Sequence, residues 1–472
     1  MIDPVVALAR TAPRYPAPDA VGYAPVTAAL AGLGLDPGDP FGTWIGPGAT
    51  VTLKPNWVMH RNPLGHHLDS LVTHPAVLAA LAEHVAHGLR GRGTLVIGDA
   101  PLQGCDFDVL QQALGIPQLV ARLRARHPAL EIIVEDWRLT VLRDAAALTG
   151  PDQRRRDDDA HGIPPAYRLV DRASASFVDE LAEYSDRMRV TCYQPSAMAA
   201  HHAAGKHEYL VTRRVLESEL VINVPKLKTH IKAGLTGALK NLVGINGHKE
   251  FLPHHIHGSW ERGGDEYHRA SRLRDLYDRL YDHTWEHMAT IGRVERAALT
   301  TALRVLGRVN ARTGDGIDAG SWSGNETIWR TTLDLNHVLY GGRARILHVV
   351  DGVIAGQGEG PITPSPQLAG VILAGANPAH VDAVIARLIG YSVARVPTVY
   401  QALTHRGSMF GGARANDIPL ALAAAVDGTL EPATLADLAS MRFVVPRNWQ
   451  RAQIEPRPLD DATRARAGSG EW

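Results

Sequence analysis

With 472 residues, 45% of them hydrophobic and 21% charged, the chain can bury a large core, which excludes a disulfide-stapled mini-protein and a globally disordered chain. Its 49 basic residues balance 49 acidic ones, so no overall field draws it to nucleic acid or to an anionic membrane. Two cysteines, Cys105 and Cys192, are too few for a disulfide framework or a four-cysteine zinc or iron–sulfur site, and there is no apolar run of about 18 residues to cross a bilayer; the expectation is a cytoplasmic protein.

In chain order, residues 1–44 read as an N-terminal extension. Residues 45–395 read as an α/β domain with insertions at about 138–204 and 258–325, and 396–472 as a C-terminal extension ending in a polar tail. Short β-rich runs fall at 49–54, 94–99, 131–135, 219–224, 346–351 and 370–374, several of them apolar throughout, as buried parallel strands are. Helical stripes lie between them, with Val77, Leu78, Leu81 and Val85 in 75–88 and Val381, Val384, Ile385 and Leu388 in 379–390. The alternation predicts an α/β fold, a largely parallel sheet with flanking helices. The polar stretch 138–204, with its charge run at 154–159, is expected to be a loop-rich excursion. Residues 266–312, carrying Leu273, Leu276, Leu280, Met288, Ile291, Leu299, Leu303 and Leu306, are expected to form a helical insertion that covers the site or offers a homodimer surface.

The lysine distribution points to chemistry. Only seven of the 49 basic residues are lysine, at 54, 206, 226, 228, 232, 240 and 249, so six fall between 206 and 249 in a chain that otherwise uses arginine. An ammonium is a compact charge whose pKa can be lowered far enough for base or Schiff-base chemistry, which a guanidinium does not offer. Histidine shows the same bias, 11 of 23 lying between 201 and 287.

Ligands of open α/β sheets sit at the carboxyl ends of strands. The strand ends here carry Lys54 and Asn56, Asp99, the segment from Lys226 to His230, and Asp351. Extended geometry sends Lys226, Lys228 and His230 to one side, a trio suited to an anion or to acid/base work. Residues 234–244 read as a glycine-flanked helix bearing Lys240 and Asn241. The glycine-rich run 356–360 reads as a loop that brings Gly358 and Glu359 near a ligand. Pro361 and Pro364 forbid the helix that a dinucleotide fingerprint would open, and the phosphate-loop and Gly-x-Ser-x-Gly patterns are missing. His254-His255-Ile256-His257 contains a His-x-His spacing within a histidine-rich loop, and His254 and His257, completed by His230 or His248, are the lower-ranked candidates for a metal.

The segments Lys54-Pro55-Asn56, Gly98-Asp99-Ala100-Pro101, Pro225-Lys226-Leu227-Lys228-Thr229-His230, Leu239-Lys240-Asn241-Leu242-Val243-Gly244, Val350-Asp351-Gly352-Val353 and Asn377-Pro378-Ala379-His380-Val381-Asp382-Ala383 together resemble the domain of unknown function 362 family over roughly residues 45–395. The likeness is to longer members without cysteine-rich segments, which implies no iron–sulfur cluster. The residues thus predict an enzyme acting on an anionic small molecule. Lys226, Lys228, His230 and Lys240 are its catalytic candidates, and Lys54, Asn56, Asp99, Asn241, Asp351, Gly358 and Glu359 its binding candidates. The favoured chemistry is acid/base, of isomerase or lyase type. The alternatives are a metal-dependent enzyme using the His254/His257 region and a non-catalytic binding protein for an anionic metabolite or glycan precursor.

Overall fold

The computed structural model describes residues 5–17, 22–142, 153–155, 163–190, 194–287, 290–313, 317, 319–423 and 430–454. Eleven strands build the main sheet: β1 (Val6–Arg10), β2 (Thr50–Pro55), β3 (Gly93–Asp99), β4 (Leu130–Asp136), β5 (Leu220–Val224), β6 (Lys226–His230), β7 (Gly234–Thr236), β8 (Arg345–Glu359), β9 (Thr363–Gly375), β10 (Pro419–Ala423) and β11 (Leu430–Thr434). The helices used below are α1 (Ala24–Ala31), α2 (Pro75–Gly88), α3 (Ile116–Arg126), α4 (Ala238–Asn241), α5 (Arg272–His287), α6 (Arg293–Thr313), α7 (Thr327–Tyr340) and α8 (Pro378–Ile389).

The sheet order is β11-β10-β1-β9-β8-β5-β2-β3-β4, with β6 paired to β8 and β7 beside β6. Strands β4, β3, β2, β5 and β8 are parallel. The chain steps outward from β2 through β3 to β4, then crosses back to β5 and β8 on the other side. The order therefore reverses between β2 and β5, the place where an open α/β sheet leaves a crevice at its carboxyl edge. Beyond β8 the sheet continues through the antiparallel β8–β9 hairpin and then β1, β10 and β11. Both terminal segments thus supply strands to the same sheet.

Alternation along each strand decides which side chains reach which layer. Val51, Leu53, Leu95, Ile97, Leu220 and Ile222 pack against α1, α2 and α3. Val96, Val221, Val350 and Leu373 face the layer built by α7 and α8. Lys54, Asn223 and His348 fall on this second face, and the register sets Asn223 opposite Lys54 on one side and His348 on the other. A polar row therefore crosses three adjacent strands at the switch point.

Two local expectations change. Residues 234–236 are a strand, antiparallel to β6; the helix is confined to α4. The turn needs Gly234, at φ 83°, where a Cβ would press on the Trp449 ring. The run 356–360 is the end of β8 and not a free loop, with Gly356 paired to Pro366 and Gly358 to Pro364. Glycine is required at 356 because a Cβ would meet Ser70 O and the Lys228 side chain. The 266–312 segment is the helical pair α5–α6, of which, among the described residues, only Asp278 and Thr284 of α5 and Asn310 of α6 are buried. Leu276, Val294, Val305 and Val309 are exposed on it. No helix among the described residues is long and apolar enough to cross a membrane. Residues 156–159 of the charge run, Cys192, Met288 and the tail from 455 lie outside the described residues.

Helix α4 is held from its amino end by Asp382 of α8, whose two carboxylate oxygens accept the Ala238 and Leu239 amides at 2.5 and 3.0 Å. Gly237 precedes it because a Cβ there would overlap the same carboxylate. Asp382→Ala strands two buried N–H groups, each costing about 1–3 kcal/mol. Urea unfolding should show a stability loss at least as large as that of one such group, and an unchanged midpoint would remove Asp382 as the anchor.

Candidate functional site

A cavity of about 370 Å³ opens at the switch point. It is lined by Asn56, Trp57 and Val58 after β2, by Asp99 to Gln103 after β3, by His230, Ile231, Lys232 and Thr236 of the β6–β7 hairpin, and by Lys240, Asn241 and Gly244 around α4. Lys249, Leu252, His254, Pro361 and Ile362 close it. Three lysines and two histidines thus face one space whose single acidic lining residue among the described residues is Asp99.

Asp99 is already engaged. Its Oδ1 accepts Lys54 Nζ at 2.7 Å and the Ala100 amide at 2.9 Å, and its Oδ2 accepts the Trp57 amide at 2.7 Å. Lys54 is fully buried and also donates to Pro55 O. A Cβ on Gly244 would run into this pair, which accounts for the glycine that closes the Lys-Asn-x-x-Gly segment. The cavity therefore keeps an excess of positive charge.

Lys240 has no hydrogen bond or ion pair among the described residues. Burial first, and then the charges of Lys249, Lys232 and Lys54, lower its pKa to about 7. Lys249 donates to Ala100 O at 3.0 Å, and burial lowers it to about 8. His230 and His254 are held well below the ordinary histidine range by burial and then by the charge of Lys240. His230 Nδ1 accepts the Lys232 and Ala233 amides at 3.0 and 3.3 Å, which puts its proton on Nε2. His254 Nδ1 donates to Leu252 O at 2.6 Å, which leaves Nε2 with a lone pair. The site thus offers an imidazole donor, an imidazole acceptor and a titratable amine.

The other predicted residues go elsewhere. Lys226 faces away from the cavity, fully buried, with Asp351 Oδ2 at 2.6 Å and Tyr15 Oη at 2.8 Å. Tyr15 donates to Asp351 Oδ1 at 2.7 Å and stacks on His74 at 3.5 Å. Lys228, also fully buried, has only carbonyls, Leu71 O at 2.6 Å and Pro361 O at 3.5 Å. Burial and then the Lys226 charge push it well below the usual lysine range, favouring the neutral amine. The β6–β8 pairing shifts between Lys226 and Lys228, each of the trio has a different neighbourhood, and only His230 lines the cavity. Glu359 accepts the Arg447 amide and Gly358 donates to Val444 O, so neither points at the cavity. Reasoning from sequence left out Lys232, Lys249, Gln103 and Thr236, of which the two lysines were visible in the lysine clustering. Tyr15 gave no signal, being remote in the chain.

Asn56, Asn241, Asn223, His348 and Tyr340 form a hydrogen-bonded chain from the cavity into the core. Asn56 Nδ2 donates to Asn241 Oδ1 at 2.9 Å, Asn241 Nδ2 to Asn223 Oδ1 at 2.7 Å, and Asn223 Nδ2 to His348 Nδ1 at 2.9 Å. His348 Nε2 meets Tyr340 Oη at 2.6 Å, and Tyr340 donates to Ala376 O. Its direction is set by Ala376 O, by Ala238 O, which accepts Asn223 Nδ2, and by Lys54 O and Pro55 O, which accept Asn241 Nδ2. That polarity turns Asn56 Oδ1 away from the chain, and it has no partner; neither do Thr236 Oγ1 and the Gln103 amide.

The metal candidates are not brought together. His254 opens on the cavity, whereas His257 is clamped between Glu266 Oε2 at 2.7 Å and Asp282 Oδ1 at 3.1 Å. A three-residue step along extended chain points the two to opposite sides. His248 Nδ1 accepts the Glu250 amide. His255, His257 and Glu266 do have ligand atoms within 4.8 Å of one another. A cation there would have to displace the proton His257 shares with the carboxylates. Burial opposes that proton, but Glu266 and Asp282 outweigh it and raise His257 to about 10.

Residues 172–387 match the family described as Domain of unknown function (DUF362). The chain carries a DUF362 domain. No curated protein matches the chain. The DUF362 stretch contains β5 to β9 and most of α8, hence Lys232, Lys240, Lys249, both cavity histidines and Asp382. Strands β2 and β3, which supply Lys54, Asn56 and Asp99, precede it. Every side chain of the polar row on β5 and β8 is therefore in the DUF362 stretch, and its Lys54 end is not.

Two pH-dependent outcomes follow. The folded pKa of His257 is raised, so its contribution to stability is full below about pH 6.5 and lost as the pH rises through about 10. Lys240 is the reverse: lowered to about 7, it opposes folding at low pH, and that cost disappears as the pH approaches its ordinary 10.5. In denaturant unfolding His257→Gln should be most destabilising at pH 6 and least near pH 10. Lys240→Met should be stabilising at pH 6 and neutral near pH 10.5. An effect that is equally large at both pH values, for either variant, would refute the corresponding assignment. Asp351→Asn leaves the Lys226 ammonium buried without its counter-charge and should cost about 3–5 kcal/mol, most of it recovered in Asp351→Asn/Lys226→Met.

Proposed function

We propose that this protein is an enzyme that binds an anionic small molecule in the switch-point cavity and moves a proton on it. The observation that supports this reading is the cavity itself: three lysines and two histidines converge on it, while its one acidic lining residue among the described residues is held by a buried lysine. Anion binding comes from Lys232 and Lys249, whose ammonium groups donate charge-assisted hydrogen bonds. Lys240 and His254 act as the acid/base pair, because one is an amine that titrates near neutrality and the other presents a free imidazole lone pair. His230 donates from Nε2 to the charge that develops on the substrate. Lys226 and Lys228 position β6 and leave the chemistry to its hairpin. The buried free thiol of Cys105, pushed by burial up to about 12, is no nucleophile and fits a reducing cytoplasm.

Calorimetry with a panel of inorganic phosphate, sulfate and small carboxylates tests the binding step. Affinity should fall as the pH rises from 6 to 9, because bound anion favours the protonated forms of Lys240 and Lys249. Lys249→Met should weaken binding about tenfold, about 1.4 kcal/mol. Binding that does not depend on pH or on Lys249 would defeat the reading. Turnover of a bound acid, followed as exchange of its carbon-bound hydrogen in deuterated water, separates the enzyme from a binding protein.

A further inference from the structure

We propose that Lys240 is a covalent nucleophile, forming an imine with an anion that also carries a carbonyl, of which 2-oxo acids are the simplest class. This rests on the anion-binding reading above and goes further by naming the reacting atom and the functional group it takes.

Lys54 and Lys226 are matched to Asp99 at 2.7 Å and Asp351 at 2.6 Å, Lys206 to Glu208 at 3.2 Å, and Lys228 and Lys249 donate to carbonyls. Lys240 has no such partner among the described residues, although it lies inside the molecule on a helix fixed by Asp382. An amine that is held in place and unpaired, facing a cavity, is available as a nucleophile. Its surroundings suit the rest of the step. Lys232 and Lys249 supply the charge to hold a carboxylate next to the reacting carbon, and His254 Nε2 has a lone pair to take a proton. The apolar walls, Trp57, Val58, Leu102, Val243 and Leu252, limit water around the bond.

The step balances without an oxidant or reductant. The Lys240 Nζ lone pair adds to the carbonyl carbon as the C=O pair passes to oxygen, and the nitrogen proton goes to His254 Nε2. That proton returns to the carbinolamine oxygen, which departs as water after taking the second amine hydrogen, while the nitrogen lone pair closes the C=N bond. One carbonyl oxygen and two amine hydrogens leave together. The imine then draws electrons from the adjacent carbon, which acidifies the proton there for His254 Nε2 to take, Lys240 now serving as the electron-withdrawing imine nitrogen and not as a base.

The full-length protein is incubated with pyruvate, glyoxylate or 2-oxoglutarate, reduced with borohydride, digested and examined by mass spectrometry. At least one acid should leave the Lys240 peptide heavier by that acid's mass less one oxygen atom. The adduct should be lost in Lys240→Arg, with Lys240→Gln as the substitute if the arginine variant does not fold, and kept in Lys206→Arg. Calorimetric binding of inorganic phosphate and of the same acids is measured in parallel. If phosphate or an oxo acid binds but no adduct forms at Lys240, or if Lys206 is labelled equally, the imine proposal is wrong and the anion site stands. If neither phosphate nor any oxo acid binds, the anion reading itself fails and the imine with it.

Discussion

An ammonium taken out of water costs several kcal/mol unless a carboxylate or several carbonyls replace the solvent. Three lysines of this protein, Lys54, Lys226 and Lys228, are completely buried at the carboxyl edge of the sheet. Two are matched by acids placed on neighbouring strands, Asp99 on β3 and Asp351 on β8, and the third by backbone carbonyls. Much else at the site depends on these pairings. They use up Asp99 and Asp351 at the strand ends, so neither acid is left to pair with Lys240. They also tie the segments after β2 and β3 to β6 and β8, and Tyr15 from the N-terminal segment closes over the Asp351 pair.

The second constraint is the row Lys54–Asn223–His348 across β2, β5 and β8. Buried polar atoms need partners, and the row finds them by linking to one another and to Asn241, Asn56 and Tyr340. Because the chain ends on main-chain carbonyls, each amide can face only one way. The core thereby dictates what a surface cavity displays, an acceptor at Asn56 Oδ1. Asn241 is the junction between that chain and the cavity-lining side of α4, being next in sequence to Lys240.

Placement of Lys240 follows from steric and capping details of unrelated segments. Asp382 on α8 receives the α4 amides, Gly237 leaves room for that carboxylate, and Gly244 leaves room for the Lys54–Asp99 pair. By contrast, α5 and α6 stand on the periphery and are joined to the rest by side chains of α5, among them Asp282, which meets both His257 and Arg189, and Glu286, which meets Ser196.

The sequence by itself determined the alternation of apolar strands with amphipathic helices, because a buried parallel strand and a one-sided helix leave unmistakable periodicities; helix 75–88 has the bounds its stripe predicts. It also pointed to a stretch that supplies the three lysines of the cavity, because lysine is concentrated between 206 and 249 in an arginine-rich chain. It could not show which lysines meet the cavity. Lys226, Lys228 and His230 have the same local pattern, and only the acids and carbonyls of β8, the 71 region and the β6–β7 hairpin separate them. The glycines at 356 and 358 look like a loop until the prolines of β9 are seen opposite them, since cross-strand pairing is not encoded in local order. Tyr15 and Asp382 act on the site from hundreds and more than a hundred residues away, and contacts of that separation exist only once the sheet is assembled.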